Sequence, residues 1–252
     1  MKKKMAVLMA AMMLLSLAAC GKGEKEQISV ESGKLIMATE AAFAPYEYKS
    51  NGEIVGVDVE IAQAIADELG LELVIQDMEF EKAILAPHEG TADLTAAGLT
   101  VTEERKDVVS FSVEYMQTEQ VVVTKAGDTS ITDEATMLSK TVGVQSGSSS
   151  ELYYSESMNG EMKAYVTYQE AADALKGSEI DCIVMDHLAA EMLVAQNPEL
   201  EVQPFTLYED SVAFAVEIDN DALLEKINPI IQKMVDDGTV EKLVQKHMES
   251  AK

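Results

Sequence analysis

The sequence predicts an α/β protein of two lobes, each a mostly parallel sheet flanked by helices, with the lobes joined by two strands and a cleft between them. Two observations carry this. Strand-like and helix-like segments alternate along the chain, and the alternation runs through once, breaks, and starts again after about residue 140, which is the grammar of parallel sheets with helices on their faces. In each half an apolar strand also delivers a loop of small and polar residues that opens a helix, at Gly98–Thr102 and again at Gly147–Ser150. Such loops lie at strand C-terminal ends, where sheets of this kind collect ligands.

In order, Leu35 to Thr39 reads as the first strand, and the loop Glu40-Ala41-Ala42-Phe43-Ala44-Pro45-Tyr46 follows it. Tyr48 to Val57 is broken at Asn51-Gly52, the signature of a tight hairpin turn. Asp58 is read as the cap of a helix whose apolar face is Ile61, Ala62, Ile65 and Leu69, stopped by Gly70. Leu71 to Ile75 is a strand, Phe80 to Ala86 a short helix closing at Pro87, and Asp93 to Ala97 a third strand. Thr102 is the N-cap of the next helix, with Glu103 and Glu104 suited to its first turn. Arg105 follows in that turn, where its planar fork can reach back over the loop and grip a carboxylate at two points.

The second half repeats the pattern. Gln120 to Thr124 and Thr141 to Val144 are strands, and the loop Gln145 to Ser150 opens a helix at Glu151. Thr167 and Glu170 form a capping box before a helix that stops at Gly177. Ile180 to Met185 is an apolar strand, and Asp186 caps a helix running to Asn197. Val202 to Leu207 and Val212 to Val216 are strands, and Asp221 to Val235 and Thr239 to Met248 are helices with apolar stripes. The last helices need a face to cover and are expected on the first lobe. The expected division is therefore residues 34–118 with 212–252 as lobe 1 and residues 119–211 as lobe 2.

The N-terminus reads as a leader. Lys2, Lys3 and Lys4 precede an apolar run from Met5 to Leu17, too short to span a bilayer, and small residues lead to Cys20, the layout of a secretory signal. Leu17-Ala18-Ala19-Cys20-Gly21 resembles the bacterial lipobox. That likeness implies cleavage after residue 19, lipidation of Cys20, and a tether over residues 20–33. Each buried methylene of such an anchor adds about 0.8 kcal/mol of membrane affinity. Removing residues 1–19 takes away three Lys and no acid, leaving 16 Lys and Arg against 45 Asp and Glu, a net charge of −29. A chain so acidic repels nucleic acid and anionic lipid headgroups and attracts cationic solutes. Cys182 is the one other cysteine, expected as a buried strand residue. His88 and His247 are isolated, and His187, beside Asp186, is expected at the surface of the cap turn with a pocket contact as the alternative. No His has metal-ligand spacing, and Ser148 and Ser149 lack the surroundings of a catalytic serine.

Taken together, Thr39-Glu40-Ala41-Ala42-Phe43-Ala44-Pro45-Tyr46-Glu47, Gly56-Val57-Asp58, Gly98-Leu99-Thr100-Val101-Thr102-Glu103-Glu104-Arg105 and Val142-Gly143-Val144 with Gly147-Ser148-Ser149 resemble the extracytoplasmic solute-binding proteins of polar amino-acid ABC transporters. The resemblance spans about Lys34 to Met248 and implies the type II periplasmic-binding-protein fold. It implies that Arg105 binds the α-carboxylate of an amino acid, that Thr100, Ser148 and Ser149 add hydrogen bonds to it, and that the Gly98 carbonyl and Asp186 meet the α-ammonium. Phe43 and Phe80 would sandwich the ligand side chain, and Glu40 would lie near its distal end. Burying a zwitterion requires both charges to be matched, and these residues match them.

The expected function is capture of a free L-amino acid, basic or uncharged polar, and its delivery to a membrane permease by a lipid-anchored, extracytoplasmic monomer that uses no cofactor or metal. The competing expectation is a dehydratase-like enzyme of the arogenate or prephenate type on the same fold. It would need a placed general acid or base, for which Glu40 and Asp186 are the candidates.

Overall fold

The structure is a computed structural model that describes residues 28–158 and 160–250. The leader, Cys20 and most of the tether lie outside the described residues. The chain opens with β1 (Lys34–Thr39), β2 (Ala42–Phe43), β3 (Glu47–Ser50) and β4 (Glu53–Val55), then α1 (Val57–Leu69), β5 (Glu72–Asp77), α2 (Phe80–Leu85), β6 (Leu94–Thr95), α3 (Glu103–Lys106) and β7 (Val109–Phe111). β8 (Met116–Lys125) leads into α4 (Glu134–Met137), β9 (Thr141–Gln145), α5 (Ser149–Ser157), β10 (Glu161–Tyr165), α6 (Tyr168–Lys176), β11 (Cys182–Asp186) and α7 (His187–Gln196). β12 (Leu200–Val212) returns to β13 (Ala215–Glu217), α8 (Asp221–Asp236) and α9 (Thr239–Ser250).

Two five-stranded sheets result, ordered β5-β1-β6-β13-β7 and β10-β9-β11-β8-β12, with β2, β3 and β4 as a small separate sheet. Each large sheet has three parallel strands, linked through helical crossovers as parallel pairing demands, and two antiparallel strands along one side. The sheets are alike in plan, which is why the sequence grammar reads twice.

β8 and β12 connect the lobes. They run antiparallel, and at the first-lobe end Val212 pairs with Met116. The sequence reading divided the second of these into Val202–Leu207 and a separate strand from Val212. In the structure β12 is continuous through Tyr208, Glu209 and Asp210, with register shifts between Val202 and Tyr208. Its polar residues hid the strand because one side of it faces the cleft.

Apolar periodicity places the cores correctly. Leu35, Met37, Ile61, Ile65, Phe214, Ile227 and Ile231 are fully buried together, so α8 covers the first sheet as expected. Burying each such side chain contributes about 1.5–3 kcal/mol. Cys182 is buried beside Val142, Val144 and Val184 in the second lobe, and burial pushes its thiol up to about 12. The hairpin at Asn51-Gly52 takes positive φ at both residues (52° and 88°), as a type I′ turn requires.

One cap is corrected. Asp58 does not cap α1; the helix starts two residues earlier than such a cap would place it, at Val57, with Gly56 at its N-cap position. Gly56 has φ 147°, and a Cβ there would lie 2.0 Å from the Tyr46 carbonyl oxygen, so no side chain fits. Asp58 instead lies buried inside the first turn, where it accepts the Tyr115 hydroxyl at 2.5 Å and the Gly98 amide at 2.9 Å. α5 starts at Ser149, two residues before the expected Glu151, with Ser148 at its N-cap.

Candidate functional site in the cleft between the lobes

The chain reverses at Gly98 with φ 53°, and a Cβ there would meet the Phe43 ring at 2.8 Å. Only glycine lets the backbone pass so close to the aromatic ring. The Gly98 amide is fixed on Asp58, so this turn is anchored from below by an acid that burial raises to about 7.

Thr102 caps the short helix α3, its hydroxyl accepting the Arg105 amide at 3.2 Å. That cap turns the Arg105 side chain back over the loop. Its guanidinium donates to the Thr100 carbonyl at 2.6 Å and, across the cleft, to the Gly147 carbonyl at 2.8 Å. It lies 5.6 Å above the Phe80 ring centroid, a cation–π distance. Burial lowers the guanidinium pKa to about 10, so Arg105 stays charged at neutral pH.

The second lobe supplies the facing loop. Ser148 spends its hydroxyl on the helix, accepting the Glu151 amide at 3.1 Å. Ser149 reaches Thr100 of the first lobe at 3.2 Å, hydroxyl to hydroxyl. Asp186 ends β11 and caps α7 by accepting the Ala189 amide at 3.1 Å. Its other oxygen accepts the hydroxyls of Tyr46, at 3.0 Å across the cleft, and of Thr118. Burial pushes this carboxyl up, while those hydrogen bonds hold it down.

Phe43 stacks on Tyr46 at 5.3 Å and on Tyr168 at 5.6 Å between ring centroids. Glu40 is buried and accepts the Gln145 side-chain amide at 2.6 Å. Burial raises its carboxyl to about 7, with Gln145 acting against the shift and Asp77 and Glu170 adding to it.

These residues converge. Phe43, Phe80, Gly98, Thr100, Arg105, Ser148, Ser149 and Asp186 line one small cavity, together with Gln120, Gln145 and Tyr168. Glu40 stands outside that lining, one hydrogen bond behind Gln145. The cavity measures about 20 Å³, room for about one water. At the cleft mouth a larger hollow of about 500 Å³ runs past Ile84, Leu85, Arg105, Ser149 and Leu152. Glu81 closes over Gly147, whose added Cβ would lie 2.5 Å from the Glu81 Cγ. As it stands the inner cavity holds nothing larger than a water, and it shares Arg105, Ser148 and Ser149 with the hollow at the mouth.

Sequence reasoning missed Gln120, Gln145, Tyr168 and Asp210. The available signal was a polar residue where an apolar strand reaches its cleft end, as at Gln145 after Val142-Gly143-Val144. No metal-binding group of His, Cys, Asp and Glu occurs among the described residues, and none of their helices is long and apolar enough to cross a membrane.

Residues 35–250 match the family of bacterial extracellular solute-binding proteins, family 3. The chain belongs to that family. Among curated relatives of this solute-binding protein, the arginine-binding extracellular protein ArtP of Bacillus subtilis is 34% identical, covering 98% of each chain. Among solved structures, the amino-acid ABC transporter substrate-binding protein AbpA of Streptococcus pneumoniae, bound to L-arginine, superposes with a TM-score of 0.82 at 30% identity, covering 87% of this chain and 96% of that one. An ancestral arginine-binding protein bound to glutamine gives 0.80 at 37% identity, with 86% and 98% covered. These relatives are amino-acid-binding proteins, and the dehydratase alternative finds no support among them.

Proposed function

We propose that this solute-binding protein captures a free basic L-amino acid, arginine foremost, between its closing lobes and delivers it to an ABC permease, held at the outer membrane face by a lipid on Cys20. The observation that supports this best is the pairing of opposite charges on one cavity. Arg105 stands at one end, supported by the Thr100 and Ser149 hydroxyls and two helix starts, where an α-carboxylate is favoured. Asp186 stands at the other, matching an α-ammonium. Glu40, behind Gln145, is the acid left over for a third, distal charge, and a cationic side chain fits it. The names of the arginine-binding relatives favour the same choice.

Because contacts come from both lobes, ligand and closure stabilise each other, the hinge closure seen generally in periplasmic binding proteins. A thermal-shift screen against the twenty amino acids tests the reading. A ligand at a hundredfold excess over its Kd adds about 2.7 kcal/mol of stability, and L-arginine is expected to give the largest rise in Tm. A flat response to all twenty amino acids overturns it.

A further inference from the structure

Asp210 sits on β12, directly across the ladder from Thr118 of β8. It is half-buried, and its side chain points into the place where the two lobes meet. One carboxylate oxygen accepts the Thr100 hydroxyl of the first lobe at 2.9 Å, the Ser149 hydroxyl of the second at 3.2 Å and the Gln120 amide at 3.3 Å. Gln120 is oriented for this by Ser150, whose hydroxyl donates to the Gln120 carbonyl oxygen at 2.9 Å. The other Asp210 oxygen accepts the Ser211 amide at 3.0 Å. Burial pushes the Asp210 carboxyl up, and Thr100, Ser149 and the nearby Arg105 charge draw it back.

Thr100 and Ser149 are two of the donors that the proposed function assigns to a ligand carboxylate. In this structure they converge on a carboxylate that belongs to the protein. We infer that Asp210 is an internal occupant of the anion subsite: a latch that ties the lobes through Thr100 and Ser149, and that the carboxylate of an incoming ligand displaces. This rests on the reading of Arg105, Thr100 and Ser149 as the carboxylate-binding group, and it adds a residue that tunes both affinity and the resting position of the lobes.

The physical consequence is specific. A hydroxyl has one proton to give, so Thr100 and Ser149 cannot serve both carboxylates at full strength. Two carboxylates near one guanidinium also repel each other. Asp210 therefore opposes ligand binding while favouring closure without ligand. Asp210→Asn keeps an acceptor oxygen and the side-chain shape but removes the charge, and its amide can turn to donate to the ligand. Asp210→Ala removes the latch altogether.

The test compares full-length wild type, Asp210→Asn and Asp210→Ala, each checked for fold by circular dichroism. Small-angle scattering without ligand reads the lobe separation, and calorimetric titration with L-arginine and with L-glutamine reads affinity. The expected result is a larger radius of gyration for ligand-free Asp210→Ala than for wild type. Asp210→Asn is expected to bind both amino acids about tenfold more tightly than wild type, by the same factor, because the gain lies at the carboxylate they share. Weaker binding in Asp210→Asn with unchanged scattering in Asp210→Ala overturns the inference and makes Asp210 a ligand-cation contact. No change in either measurement also overturns it. If wild type binds no amino acid, the proposed function fails, and the ligand-free scattering comparison still decides whether Asp210 latches the lobes.

Discussion

The two charged ends of the cleft are built by different means. At the cationic end Arg105 is oriented by main-chain groups, the carbonyls of Thr100 and Gly147, and by its own helix cap at Thr102. At the acidic end Glu40 and Asp186 take hydrogen bonds from side chains distant in sequence, although Asp186 also caps its own helix through the Ala189 amide. Tyr46 reaches Asp186 across 140 positions and Gln145 reaches Glu40 across 105. A main-chain carbonyl is present whatever the residue, so the Arg105 end needs only a correctly shaped loop. The acidic end needs particular partners and is the end that substitution can retune. In the proposed function Arg105 and Asp186 meet the carboxylate and ammonium that every amino acid shares, and only Glu40, held by Gln145, faces the side chain that differs.

The sharpest way to break the comparison is Arg105→Ala. Truncating one partner of a buried charge pair costs about 2–5 kcal/mol, so affinity for every amino acid should fall by roughly 30-fold or more, equally for arginine and glutamine, by calorimetry. A loss confined to one ligand would place Arg105 in side-chain recognition and reverse the assignment of the two ends. Asp186→Asn is expected to do less. Asparagine caps a helix about as well as aspartate, so α7 should stay folded while the ammonium loses its counter-charge but keeps an acceptor oxygen, a drop of about 10- to 100-fold across ligands, the scale of one hydrogen bond to a charged group. Full affinity in Asp186→Asn, with melting unchanged, would leave Asp186 as a cap alone.

The same contrast explains what could be read without coordinates. The lobes, the crossover order and the Arg105 loop are written in local patterns: strand and helix periods, glycine stops, a threonine cap directly before two glutamates. The cap at Asp186 and the capping box at Thr167 are equally local, and the structure has both. The misreadings fall where a tertiary partner outweighs a local preference. Asp58 has the composition of a cap, yet Tyr115 and the Gly98 amide draw it into the interior. Glu209 and Asp210 fall between the two strands read from the sequence, yet pairing with β8 holds them in one continuous strand. Gln120 and Tyr168 have no local signature and Gln145 only that of a polar residue ending an apolar strand, because their position on the cavity exists only once β8, β9 and α6 are packed.

The smallest effect expected is also the most selective. Glu40→Gln should weaken L-arginine binding by about fivefold, the upper end of what one partly screened charge contact contributes, and leave L-glutamine nearly unchanged. Its pH dependence gives a second handle. Burial raises the Glu40 carboxyl from 4.5 to about 7 in the folded chain, so between those values the native protein holds a proton that the unfolded chain has released. Stability then falls as pH rises through this window and levels off above it; Asp58, raised from 3.8 to about 7, acts in the same direction. Arginine binding should behave oppositely, because a guanidinium needs the ionised acid: affinity should drop as pH falls from 8 to 6, by no more than tenfold per pH unit for this one group. In Glu40→Gln the decline in affinity should flatten, while the part of the stability slope due to Asp58 remains. A decline that persists unchanged in Glu40→Gln would move the distal cation to another acid and leave Glu40 as a buried partner of Gln145.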